Sequence, residues 1–339
     1  IGGTLVLRSS NVKNSQIVLT DNVFVESEVV NCENVIVGDI IIVVRNGSRN
    51  LIGKHAIIKK NMPNTVIGAF MTGIHSKQSD FINSLLDTNQ FEKEIEKNLG
   101  ATINQITTGA LKKMTFWFPK EDEQKQIGTF FQKLDNLITL HQKKYDKLIV
   151  LKKAMLVKMF PKKGALVPEI RFKGFTEDWK QCDLSNIIDL QGGKDYKHLK
   201  HGNIPVYGTG GYMLSVNEAL SNKDSIGIGR KGTIDKPFIL KAPFWTVDTL
   251  FYALPKDKND LQFLFCVFQN INWKHKDEST GVPSLSKVTI NSVQTFTTEQ
   301  PEQQNIGSYF ESLDNQIELH KPQVHKKNTN KTSGFSKMF

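Results

Sequence analysis

The sequence predicts an α+β protein built twice over. Two mixed strand-and-helix heads are each followed by a long helix, and the two helices pack as an antiparallel coiled coil in a pseudo-twofold internal repeat. Three observations predict this. Residues 123–141 read EQKQIGTFFQKLDNLITLH and residues 302–320 read EQQNIGSYFESLDNQIELH, with 11 of 19 positions identical at an offset of 179. Apolar residues inside the repeat recur at alternating steps of four and three. Short β-branched runs broken by polar turns precede each copy.

The first head spans 1–118. Val35–Val44 is a continuous apolar run that reads as a buried strand, with shorter strands at 55–58 and 65–70. Residues 79–99 read as one helix closed by Gly100. The first long helix occupies 119–164. Its apolar seam is Ile127, Phe131, Leu134, Ile138 and Leu148, with the spacing of a coiled-coil seam. At ~1.5 Å per residue, its residues 123–160 make a rod of roughly 55 Å. A rod with one apolar stripe needs a partner, and Ile306, Phe310, Leu313 and Ile317 repeat the stripe in the second copy.

A linker follows at 165–179, then a second head at 180–299. There Asp224–Gly229, Phe238–Leu240 and Thr246–Leu254 read as strands and residues 259–272 as a helix. Arg230-Lys231-Gly232 aligns with Arg45-Asn46-Gly47, and Gly281–Ser286 with Gly100–Gln105. The second long helix spans 300–339. Pro322 replaces Lys143 of the first copy, and Lys327 and Asn330 replace Leu148 and Leu151, so a break or kink is expected after Lys321. His141 and His320 fall on the seam, where interhelical packing suits them better than metal ligation.

The net charge of +10 favours a polyanionic partner, and it concentrates in 119–164, with 11 basic and 5 acidic residues. Three scattered cysteines (Cys32, Cys182, Cys266) form neither a disulfide framework nor a CxxC metal pair. With no transmembrane run and no leader pattern, the reducing cytoplasm is the expected compartment. Gly227–Gly232 matches GxGxxG, but a turn and a strand follow it where a dinucleotide site needs a helix. No Walker A loop, methyltransferase motif or compact histidine cluster occurs, so neither catalysis nor a bound cofactor or metal is expected of this chain.

The loops suit nucleic acid better. Arg45, Asn46, Ser48 and Arg49 in the first head combine cations with hydrogen-bonding side chains. In the second head Lys194, Tyr207, Thr209, Gly210, Tyr212, Arg230, Lys231, Thr233 and Lys236 do the same beside flexible glycines. Such loops approach phosphates closely and can set Arg or Lys on guanine edges.

The order of variable head, EQxxIG…LDNxIxLH helix, linker, variable head and the same helix again resembles the specificity subunit of type I restriction–modification enzymes. Val167–Trp179 (VPEIRFKGFTEDW) resembles the usual lead into a target recognition domain, and Lys158–Pro161 (KMFP) the usual close of the first spacer helix. The resemblance implies two target recognition domains, each reading half of a split site on double-stranded DNA, held apart by the paired helices. It implies two methylation subunits and ATP-driven restriction subunits as partners. S-adenosylmethionine, ATP and Mg would then be bound by those partners and none by this chain. The first head has no counterpart of the VPEIRF lead, so ~20–30 residues are expected to be missing ahead of it. The alternatives are an adaptor for two protein partners without DNA and a fused enzyme.

Overall fold

The computed structural model describes residues 3–99 and 104–338, with side chains of the last helix described as far as Lys321. Backbone contacts divide the chain into two compact units, residues 1–143 with 321–339 and residues 144–320.

The first unit opens with β1 (Gly3–Leu7), the small hairpin of β2 (Val12–Lys13) and β3 (Gln16–Ile17), and β4 (Val23–Glu26). Next come β5 (Ile40–Val43), β6 (His55–Ile57), β7 (Thr65–Ile67) and β8 (Met71–Ile74). β1 pairs antiparallel with β4 and parallel with β7. The other main sheet has the order β6-β5-β8. All four residues of β5 are buried, which is why this strand reads as an unbroken apolar run. The strand is shorter than the run. At Ile36–Asp39 the chain turns, with the Ile36 amide donating to the Asp39 carboxylate at 2.9 Å and Gly38 at φ +97°.

Residues 79–99 correct the expectation of one helix. They form α1 (Ser79–Leu85) and α2 (Asn89–Asn98). Thr88 breaks the run because its hydroxyl accepts from the Phe91 amide at 3.2 Å and starts a new helix. The expected stop at Gly100 lies outside the described residues. α3 (Thr108–Lys113) and the 38-residue α4 (Glu121–Lys158) follow.

The second unit contains β9 (Lys180–Asp183), α5 (Leu184–Ile187), β10 (Ile188–Gly192), β11 (His201–Gly208), β12 (Gly211–Val216) and β13 (Ser225–Gly229). It continues with β14 (Phe238–Leu240), β15 (Trp245–Thr246), β16 (Leu250–Pro255), α6 (Leu261–Asn270), α7 (Lys287–Asn291), β17 (Gln294–Thr297) and α8 (Gln300–Met338). The sheet β12-β11-β15 repeats the pairing of β4-β1-β7, antiparallel on one side and parallel on the other. In the sheet β10-β16-β13-β14, the last three strands match β8-β5-β6.

Each long helix begins on its own head, and the offset of 179 holds contact by contact. The Gln124 amide donates to the Pro119 carbonyl, and Gln303 to that of Thr298, both at 2.8 Å. Gly128 lies against the start of α1, where an added Cβ would stand 2.7 Å from the Phe81 nitrogen. Gly307 lies against the start of α6, where it would stand 3.0 Å from the Phe263 nitrogen. Gln132 bonds Asp80 as Glu311 bonds Gln262. Even the ring pairs Phe130–Phe131 and Tyr309–Phe310 share a centroid distance of 5.2 Å.

The apolar stripe therefore has two duties. In the first unit Phe131 is buried, while Ile127, Leu134 and Ile138 are half-buried. In the second, Ile306, Phe310, Leu313 and Ile317 share one core with Phe263, Leu264 and Val267 of α6 and with Leu148, Leu156 and Phe160. Within that unit α4 and α8 run antiparallel. Lys152 bonds both oxygens of Asp314 at 2.6 and 2.8 Å, Lys144 lies near His320, and Phe160 near Phe310. The expected break after Lys321 is corrected: α8 continues through Pro322 to Met338. A proline removes one N–H from the ladder, and the bonds on either side can carry the helix through a kink. The side chains of Lys327 and Asn330 lie outside the described residues.

Candidate nucleic-acid interface

The basic loops leave the central strands β5 and β13. Each is clamped to the segment that enters α3 or α7. The Asn46 amide donates to the Asn104 carbonyl at 3.2 Å, and the Gly232 amide to that of Pro283 at 2.8 Å. Ile106 donates to Val44, and Leu285 to Arg230. Single bridges join Arg45 to Gln105 and Lys231 to Ser284. These bonds correct the alignment drawn from the sequence by one residue. Arg45 is the counterpart of Lys231 and Asn46 of Gly232, while Arg230 matches the buried Val44. An RNG read against an RKG looked aligned, and the hydrogen-bond register decides otherwise.

In the first unit Arg45 is exposed and lies over the Phe70 ring at 5.0 Å. Asn46 is structural as well as polar. Its amide donates to the Ser9 hydroxyl and its side-chain oxygen accepts from the Ser48 amide, both at 2.9 Å. Asn104, absent from the sequence candidates, donates to the Gly47 carbonyl at 3.0 Å and ties the loop down. Ser48 and Arg49 are exposed where a short 3-10 turn begins.

In the second unit most candidates converge. Arg230 is exposed, its guanidinium 5.8 Å from the Phe251 centroid and its Nη1 3.4 Å from the Asp248 carbonyl. Gly232 needs its φ of +96°, and a Cβ there would lie 3.6 Å from the Thr209 hydroxyl, so the loops of 207–212 and 229–233 adjoin. The Thr233 carbonyl would stand 2.0 Å from a Cβ on Gly229, which leaves glycine alone at that turn. Tyr207 and the exposed Tyr212 meet edge-to-face at 6.4 Å, and the Tyr212 hydroxyl bonds Ser215. Gly210 is exposed at the hairpin tip. Lys194 joins through its backbone, its amide donating to Thr246 and its carbonyl accepting from the Trp245 indole, both at 2.9 Å. Val247, next in the chain, donates to Tyr207. Lys236 is exposed, and no described contact brings it to this cluster.

Two supports escaped sequence reasoning. Asp277 accepts from the Ser284 and Ser279 amides, which holds its carboxyl below the usual carboxylate range and braces the segment that bridges Lys231. His198 lies edge-on to Trp245 at 5.9 Å, on the loop that carries Lys194, Lys197 and Lys200. An isolated Asp in a polar run carries no sequence signal, because its partners are backbone amides. Among the described residues no group of three or more His, Cys, Asp or Glu could hold a metal, and no helix is long and apolar enough to cross a membrane.

The family model for the type I restriction modification DNA specificity domain matches the chain twice, over residues 2–149 and 176–327. The chain belongs to this family. The paired matches coincide with the repeated architecture. The specificity subunit of the type I restriction enzyme MjaVIII from Methanocaldococcus jannaschii is 24% identical over 275 residues. That alignment covers 67% of this chain and 62% of the relative, so the chain spans less than two thirds of that relative's length. A crystal structure of the type I restriction–modification system S subunit from M. genitalium superposes with a TM-score of 0.71 at 17% identity, covering 97% of this chain and 90% of that one. A structure from work on complex assembly and conformational transition of the type I R-M system gives a TM-score of 0.51 at 13% identity, covering 96% and 87%. Both show the shared fold.

Proposed function

We propose that this specificity-family chain binds double-stranded DNA sequence-specifically, each unit reading one half of a bipartite asymmetric site. One observation carries the reading. Two heads of matching topology present unlike basic loops on the same hydrogen-bonded platform. A constant platform with variable loops suits two readers of different sequences. In the first head Arg45, Asn46, Ser48 and Arg49 contribute. In the second, the contributors are Lys194, Tyr207, Thr209, Gly210, Tyr212, Arg230, Lys231 and Thr233, with Lys236 as a phosphate contact. The chain supplies recognition, while methylation subunits holding S-adenosylmethionine and restriction subunits using ATP and Mg supply the chemistry, all in the cytoplasm with the DNA.

The test is selection of bound duplexes from a random pool. The parent yields two defined half-sites. Arg230→Ala weakens binding by ~1–3 kcal/mol and relaxes one half-site, whereas Arg45→Ala relaxes the other. Uniform loss on every sequence with a shallower salt slope would reassign either residue to phosphate. Absence of any duplex binding would remove the reading altogether.

A further inference from the structure

The hairpin of β11 and β12 ends in a tip that the core of the second unit leaves uncovered. Thr209 and Gly210 join the strands, and Gly211 takes a φ of +106°. Just behind the turn the register slips. Tyr207 faces Tyr212 but Val206 faces Leu214, so Met213 is an extra residue, a β-bulge. Bulges bend a strand and re-aim its side chains. Neighbouring strand residues ordinarily face opposite sides, so one of each pair can be buried. Here Tyr212 is 63% exposed and Met213 49%.

The exposed ring is nonetheless held in place. Its hydroxyl bonds the Ser215 hydroxyl at 3.1 Å, and Tyr207 meets it edge-to-face at 6.4 Å, itself backed by Phe238 at 6.1 Å. Met213 lies across Gly208, where a Cβ would stand 2.8 Å from its sulfur. Fixing a ring ahead of contact cuts the entropy lost when something covers it. The surroundings name the kind of cover. Residues 196–217 contain Lys197 and Lys200 and no acidic residue. Residues 225–234, whose loop adjoins Thr209, contain Arg230 and Lys231 and again no acidic residue. A fixed aromatic within a rim of cations fits a nucleobase carried on a polyanionic backbone.

Resting on the reading of this chain as a duplex binder, we propose that the hairpin tip is a stacking wedge. It enters a groove at one base step of the second unit's half-site and opens that step. The Tyr212 ring, with Met213 beside it, then lies on the base face so exposed. Part of the half-site is read by how easily the step opens, and not by its hydrogen-bonding edges. Pyrimidine–purine steps kink and unstack most readily, so one is expected under the tip.

The experiment uses the full chain and the duplex selected from the random pool. Fluorescent analogues whose emission reports opening of the stack (2-aminopurine for adenine, pyrrolocytosine for cytosine) replace one base at a time through both half-sites. One step, in the half-site that Arg230→Ala relaxes, is expected to change emission on binding. Tyr212→Ala is expected to abolish that change, to lose the sequence preference at the step and to weaken binding roughly five- to hundredfold. Tyr212→Phe, which keeps the ring, is expected to restore the change and most of the affinity. Tight binding with no emission change at any position overturns the wedge and leaves the duplex reading standing. So does a change that survives Tyr212→Ala. A loss on Tyr212→Phe equal to that on Tyr212→Ala assigns the readout to the hydroxyl and equally overturns the wedge. A parent dimer that Tyr212→Ala dissociates names a second copy as the occupant and does the same. Absence of binding to any duplex overturns the reading and the wedge with it.

Discussion

The two units share one helix junction and differ in what packs over it among the described residues. Both start a long helix against the first turn of a shorter one, at Gly128 on Asp80–Phe81 and at Gly307 on Asp260–Phe263. Both close the preceding turn with the same glutamine bond, at 2.8 Å in each. They differ in what lies over that junction. In the second unit Arg171, Phe172 and Trp179 seal it, and Glu302 is wholly buried. In the first unit Glu123 and Phe130 remain at the surface. A repeated sequence fixes helix and socket, whereas burial depends on what packs over them. The same glutamate is a core anchor in one unit and a surface charge in the other.

The largest contrast is expected at those glutamates. Glu302→Ala leaves the Arg171 guanidinium, 11% exposed, without its partner, a change that costs about 3–5 kcal/mol when a buried pair is broken. Glu123→Ala costs within about 0.5 kcal/mol, as exposed substitutions usually do. Chemical denaturation of the two variants checks it, and equal losses would mean that Glu123 is covered.

The glycines sharpen the shared half of the comparison. Gly128→Ala pushes a methyl into the backbone at Phe81 and Gly307→Ala pushes one into the Asp260 carboxylate, and each is expected to cost ~1–3 kcal/mol by overpacking. A loss in one unit alone would show that only that junction is tight. Below these come Gln124→Ala and Gln303→Ala, each removing a side-chain bond to the carbonyl before the helix, at about 1 kcal/mol. Gln303 also bonds Thr297 and Asn259 and holds the Asp260 amide, so its variant is expected to lose more.

The smallest effect concerns His320. Burial, with Lys144 nearby, holds its pKa below 6.5. The folded protein therefore binds fewer protons at this site than the unfolded chain, and stability falls as pH drops through that unfolded value. Thermal midpoints at pH 7.5 and 5.5 are expected to differ less for His320→Gln than for the parent. An unchanged difference would place the acid sensitivity elsewhere.

The sequence by itself determined the repeat, the long helices, the apolar stripe and the strands around Ile40–Val43 and Ser225–Gly229. Each rests on periodicity or on a run of like residues, which neighbours along the chain are enough to specify. The loops it marked as basic do gather in the second unit, since glycines at 229 and 232 announce tight backbone. Tertiary structure decided the rest. It set Arg45 against Lys231 rather than Arg230, because register is written in hydrogen bonds to Asn104 and Pro283, far away in the chain. It split residues 79–99 at Thr88, where a hydroxyl cap outweighed the helical pattern. And it gave Glu123 and Glu302, identical in motif, opposite environments, because burial is a property of what packs above a residue and not of the residue itself.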